Sequence, residues 1–100
     1  MISEERKYRL VPGSMAEFIS LYKAQGYPII SRYATLVGCW THESGVLNTI
    51  SFIWSYDSFA HRDQQRQLLA ANPQWQDFNR KIIGFIIFQE SIFLKSISLS

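Results

Sequence analysis

Cys39 is the only cysteine, so no disulfide closes within the chain. One thiol and two widely separated histidines, His42 and His61, give no metal-ligand spacing, and the default setting is reduced and cytoplasmic. Long apolar runs are missing as well. The opening stretch carries Glu4, Glu5, Arg6 and Lys7 where a signal peptide would be apolar, and no later segment is long and apolar enough to cross a bilayer. Charge of one sign is also scarce. Ten Lys and Arg stand against eight Asp and Glu, leaving +2, and the basic residues are scattered, so neither nucleic acid nor a membrane is an expected partner. No phosphate loop, triad signature or zinc motif occurs, and no cofactor or metal is implied by the residues.

What is present suits one small domain over residues 1–100. Apolar residues make up 47%, ordinary for a globular chain, but 15% aromatics is generous for this length. Some of those rings are expected to be covered by a second subunit. Tyr8 and Leu10 alternate with Lys7 and Arg9, the period of a first strand from about Glu5 to Val11. Pro12-Gly13 turns the chain, and Ser14 with Glu17 has the spacing of a capping box opening a helix whose Met15, Phe18, Ile19 and Tyr22 face a sheet. Gly26-Tyr27-Pro28 predicts a kink or short break before helix resumes over 29–32.

Residues 37–56 read as two strands joined through Glu43-Ser44-Gly45, a hairpin at the centre of the sheet. Ile50, Phe52, Trp54 and Tyr56 share one parity, while Ile53 lies on the other with Val37 and Cys39 available opposite. Ser58 is an N-cap candidate for a second helix, Asn72 with Pro73 for the next. Trp75, Phe78 and Ile82 form that helix's apolar face, and Gly84 suits a left-handed stop. The last strand, from Phe85 to Leu94, is apolar at both parities near its start, as expected when both faces are covered. The order βαββαβ predicts an α+β, ferredoxin-like domain with a four-stranded antiparallel sheet. Helices cover one face of such a sheet, and a second copy covering the other predicts a homodimer.

Tyr8-Arg9-Leu10-Val11-Pro12-Gly13, Leu36-Val37-Gly38-Cys39-Trp40, Leu47-Asn48, Ile53-Trp54-Ser55-Tyr56-Asp57-Ser58 and Ala70-Ala71-Asn72-Pro73-Gln74-Trp75 together resemble the NIPSNAP family. The likeness covers almost the whole chain. It implies a dimeric α+β barrel, in a superfamily that also includes small monooxygenases and haem-handling proteins, and it implies no settled activity. Relatives often carry His where this chain has Phe52, so no imidazole from the central strand is expected here.

Candidate chemistry centres on Arg62 and Arg66, which share a helical side with Phe59, Leu69 and Ala70. Guanidiniums turned towards a core need anionic or carbonyl partners. One expectation is a small acidic or carbonyl-bearing ligand between the second helix and the sheet, in a pocket shaped by Asn48, Trp40 and Trp54. The competing expectation is internal pairing with Asp57, Asp63 or Glu90, or snorkelling past the core edge, with the aromatics simply core. Cys39 reads as a small buried residue. His42 and His61 read as solvated, with axial haem ligation or base catalysis as remote alternatives. The leading reading is a small-molecule-binding homodimer, and the second is a cofactor-independent oxygenase by fold analogy.

Overall fold

Alternation along Ile2–Leu10 builds β1 in the computed structural model, which describes residues 1–100. Helix α1 (Met15–Leu21) runs directly into a π-helical segment, Tyr22–Gly26, and then α2 (Tyr27–Ile30). β2 (Thr35–Thr41) and β3 (Thr49–Tyr56) follow, then α3 (Phe59–Ala70), α4 (Pro73–Ile82), a 3-10 turn (Ile83–Phe85) and β4 (Ile86–Lys95). The sheet order is β2-β3-β1-β4 and every pairing is antiparallel. This is the expected ferredoxin-like α+β arrangement.

Register explains which side chains meet the helices. Ile2, Glu4, Arg6 and Tyr8 lie opposite Tyr56, Trp54, Phe52 and Ile50, and directly opposed residues share a face. That inner face packs against Phe18, Tyr22, Ile30, Phe78 and Ile82 from the helices. Phe52 sits 4.6 Å from the Tyr22 ring and 6.0 Å from Trp54, centroid to centroid. Burying each such side chain contributes about 1.5–3 kcal/mol, which makes this aromatic layer the main stabilising element.

Several local expectations are corrected. The hairpin is central only through β3, because β1 inserts on its other side and leaves β2 at the edge. Ser14 does not cap: its backbone is helical (φ −98°, ψ −2°) rather than extended, and its hydroxyl donates to the Val11 carbonyl at 2.6 Å. No break separates α1 from α2. The π turn absorbs the irregularity before Pro28, and Gly26 lets the Phe78 ring lie where a Cβ would come within 2.5 Å. Gly84 lies in the 3-10 turn without a left-handed φ. A bulge between Leu36 and Gly38 shifts the parity of β2, so Cys39 pairs with Phe52 on the inner side and, at the sheet's edge, is exposed. Phe59 and Ala70 are exposed, leaving Leu69 as the buried apolar residue of α3. β4 is an uncovered edge strand whose Ile87, Phe88, Phe93 and Leu94 remain exposed within one chain.

The caps at α3 and α4 are as expected. Ser58 Oγ accepts from the His61 amide at 3.0 Å, and Asn72 Oδ1 accepts from Gln74 and Trp75 at 2.8 and 3.2 Å. No helix is long and apolar enough to cross a membrane.

Candidate functional site

The inner parity of β1 carries charge into the interior. Glu4 is 0% exposed. Arg62 reaches it from α3 in a bidentate grip, Nε to Oε1 at 3.2 Å and Nη2 to Oε2 at 2.9 Å. Arg6 donates to the same Oε2 at 3.0 Å, and Ser91 of β4 donates its hydroxyl. Burial alone would raise the Glu4 pKa, but the hydrogen bonds from Arg62 and Ser91 and the charges of Arg6 and Arg62 outweigh it and hold the carboxyl below its ordinary value. Arg62 also pairs with Asp63 at 3.1 Å and lies 5.1 Å from the Phe93 ring centroid. Internal pairing is therefore the observed fate of Arg62, although its principal partner is Glu4.

Arg66, one helical turn further along, behaves differently. It forms no ion pair and no side-chain hydrogen bond within the chain. No buried side-chain nitrogen or oxygen is left without a partner, so the free donors of Arg66 face open space. Arg66 lines a cavity of about 250 Å³ between α3, α4 and the sheet. Arg6 and Tyr8 of β1, Gln89 of β4, Arg66 of α3 and Asn79 of α4 supply its polar groups. Tyr22, Trp75 and three isoleucines complete the wall. Arg6 Nε donates to the Tyr8 hydroxyl oxygen at 2.9 Å, which leaves the Tyr8 proton free to be donated. Burial first, then the neighbouring Tyr8 and Cys39, push the Tyr22 phenol well above its ordinary pKa, so it stays neutral. The wall holds no carboxylate, imidazole or thiol.

Of the five residues expected to form a pocket, only Arg66 lines this cavity. Trp54 is sealed in the core at 1% exposure, stacked on Phe52. Trp40 lies opposite Ser51 and is half exposed, its indole across Gly38, so it belongs to the outer face of the sheet. Asn48 adopts a positive φ of 59° before β3, a turn role that its short polar side chain tolerates, and its carbonyl accepts from the Leu10 amide at 2.7 Å. His42 Nε2 and Ser51 Oγ are 2.9 Å apart on the outer face, and His61 Nδ1 accepts from the Asp57 amide at 3.2 Å, so both rings are hydrogen-bonded rather than simply solvated.

The cavity residues that sequence reasoning missed are Arg6, Tyr8, Asn79 and Gln89, together with the anchoring Glu4. A signal existed for the first strand. Glu4 and Arg6 share parity with Tyr8 and Leu10, so any register burying those two apolar residues buries the charges as well.

The family model described as NIPSNAP matches residues 3–100. The chain belongs to the NIPSNAP family. An uncharacterized NIPSNAP domain protein from Burkholderia xenovorans is 45% identical, with a TM-score of 0.97 over 100% of this chain and 98% of that one. Protein Atu4242 from Agrobacterium tumefaciens is 32% identical, with a TM-score of 0.96 over 100% and 97%. Among longer NIPSNAP relatives, human Protein NipSnap homolog 3A is 39% identical over 74% of this chain and 30% of its own length. The Dictyostelium discoideum NipSnap homolog is 33% identical over 88% and 39%. This NIPSNAP chain thus matches about a third of those longer proteins. A putative antibiotic biosynthesis monooxygenase from Nitrosomonas europaea shares the fold, with a TM-score of 0.73 over 98% of this chain and all of that one, at 4% identity.

Proposed function

We propose that this NIPSNAP domain acts as a cytoplasmic homodimer that binds a small acidic or carbonyl-bearing organic molecule between its helices and its sheet. The observation that carries the reading is Arg66, a guanidinium without an internal acid, facing a cavity with convergent donors and apolar walls. A binding role is favoured over oxygenase chemistry because the cavity wall offers no general base, and Glu4, the nearby carboxylate, is fully occupied by Arg62, Arg6 and Ser91.

Homodimerisation is supported by the outer face of the sheet. Trp40 (51% exposed), Phe88 (57%), Ile92 and Leu94 stand there without cover, beside Lys7 and Glu5. Native mass spectrometry of gently purified protein tests both parts. The expected spectrum shows a dimer carrying a low-mass adduct that Arg66→Gln loses. A lone, adduct-free protomer at micromolar concentration refutes the proposal, and Phe88→Asp is expected to shift the dimer to monomer.

A further inference from the structure

Charge stoichiometry around the cavity narrows the ligand. Glu4 and Asp63 are the two carboxylates bonded to this cluster, and Arg6 and Arg62 are the two guanidiniums bonded to them. Those four charges cancel, and Arg66 alone remains unmatched. A monoanion neutralises it, whereas a dianion leaves one excess negative charge beside apolar walls and a neutral ligand leaves Arg66 as it is.

The donor set points the same way. Arg66 offers a planar fork suited to a carboxylate. Tyr8 accepts from Arg6 Nε and so turns its own proton outward as a second donor. The chain from Glu4 through Arg6 to Tyr8 makes Glu4 a positioning residue: it holds the guanidinium that orients the phenol. Trp75, Tyr22 and the isoleucines at 82, 83 and 86 leave room for a flat apolar body.

Resting on the binding reading above, we infer that the cavity takes an aromatic or similarly flat monocarboxylate, its carboxylate against Arg66 and Tyr8. Size follows from volume: a cavity of about 150 Å³ accommodates benzene, so this one suits roughly ten non-hydrogen atoms.

Isothermal titration of the chain with three probes of matched size tests this, using trans-cinnamate, cinnamamide and phenyl phosphate at about pH 8, where the phosphate carries two charges. Cinnamate is expected to bind tightest. Arg66→Gln is expected to weaken cinnamate by about tenfold to a hundredfold while leaving cinnamamide within about twofold, and Tyr8→Phe to cost cinnamate about threefold to tenfold, through loss of charge-assisted hydrogen bonds. Cinnamamide equal to cinnamate, phenyl phosphate tighter than cinnamate, or cinnamate indifferent to Arg66→Gln overturns the monocarboxylate inference and leaves the binding reading standing. Failure of all three probes to bind folded protein overturns both. Should Arg66→Gln fail to fold, the ranking of the probes on the unaltered chain decides alone.

Discussion

Replacing Glu4 by Ala removes the acceptor on which three donors from three elements converge, Arg6 of β1, Arg62 of α3 and Ser91 of β4. Two full charges about 4 Å apart attract by about 4 kcal/mol at an effective dielectric near 20. Desolvation has already consumed much of that gain in the folded protein, because Glu4 is 0% exposed and the side chains of Arg6 and Arg62 only 17% and 20%. The substitution does not return the desolvation cost. It leaves Arg6 turned inward without an acid and Arg62 with only the exposed Asp63, so the expected loss is about 3–5 kcal/mol, the range for breaking a buried pair from one side. With a urea m-value of about 2 kcal/mol/M, the midpoint falls by roughly 1.5–2.5 M at fixed protein concentration. Arg62→Ala is expected to cost a similar amount. The double variant should cost less than the two single losses together, by about 0.5–3 kcal/mol, because it also removes the stranded partner. A Glu4→Ala loss below about 1 kcal/mol, the level of an exposed pair, would refute the view of this cluster as a buried anchor.

The same carboxyl sets an acid limit. Its folded pKa lies below its unfolded value of about 4.3, so the stabilisation is complete above that pH and drains away as pH falls through the folded pKa; urea titrations between about pH 7 and pH 3 should show this, with a flatter profile in Glu4→Gln. Gly26→Ala gains helix propensity of about 1 kcal/mol but drives a Cβ to 2.5 Å from the buried Phe78 ring, and a net loss of about 1–2 kcal/mol is expected by thermal unfolding. Asn72→Ala removes the acceptor for two amides at the start of α4 and should cost about 1 kcal/mol in the same assay. Burial raises the Cys39 pKa, so its labelling by a disulfide reagent should be slow for an exposed thiol near neutral pH and climb as pH rises.

Elements with strong local signals are legible in the sequence. Asn72-Pro73 announces a capped helix by its own chemistry, and the alternation Ile50-Phe52-Trp54-Tyr56 names a buried strand face without reference to anything distant. The failures share a different cause. Ser14 and Glu17 have the spacing of a capping box, but the turn after Pro12 leaves Ser14 in helical geometry, which spacing does not encode. Counting twos puts Cys39 on the outer side, and a one-residue bulge at Val37 reverses the count. Helical spacing marks Arg62 and Arg66 as inward charges, yet their fates divide on Glu4, a residue 58 positions from Arg62 whose strand register no local pattern supplies. Arg6, Tyr8, Asn79 and Gln89 likewise become one cavity only after three separate elements are packed.

The placing of β1 between β3 and β4 bears on how the chain can be made. On the ribosome β1 emerges well before one of its two flanking strands, Ile86–Lys95, which follows the other described elements in chain order. Until that segment arrives, half of the β1 backbone lacks a partner, and Glu4 waits for the hydroxyl of Ser91, 87 residues away. A chain without that segment can pair only β2, β3 and β1, which leaves one edge of β1 open. Completing the sheet therefore needs a contact across most of the chain, and a nascent chain shorter than residue 86 leaves that edge of β1 exposed.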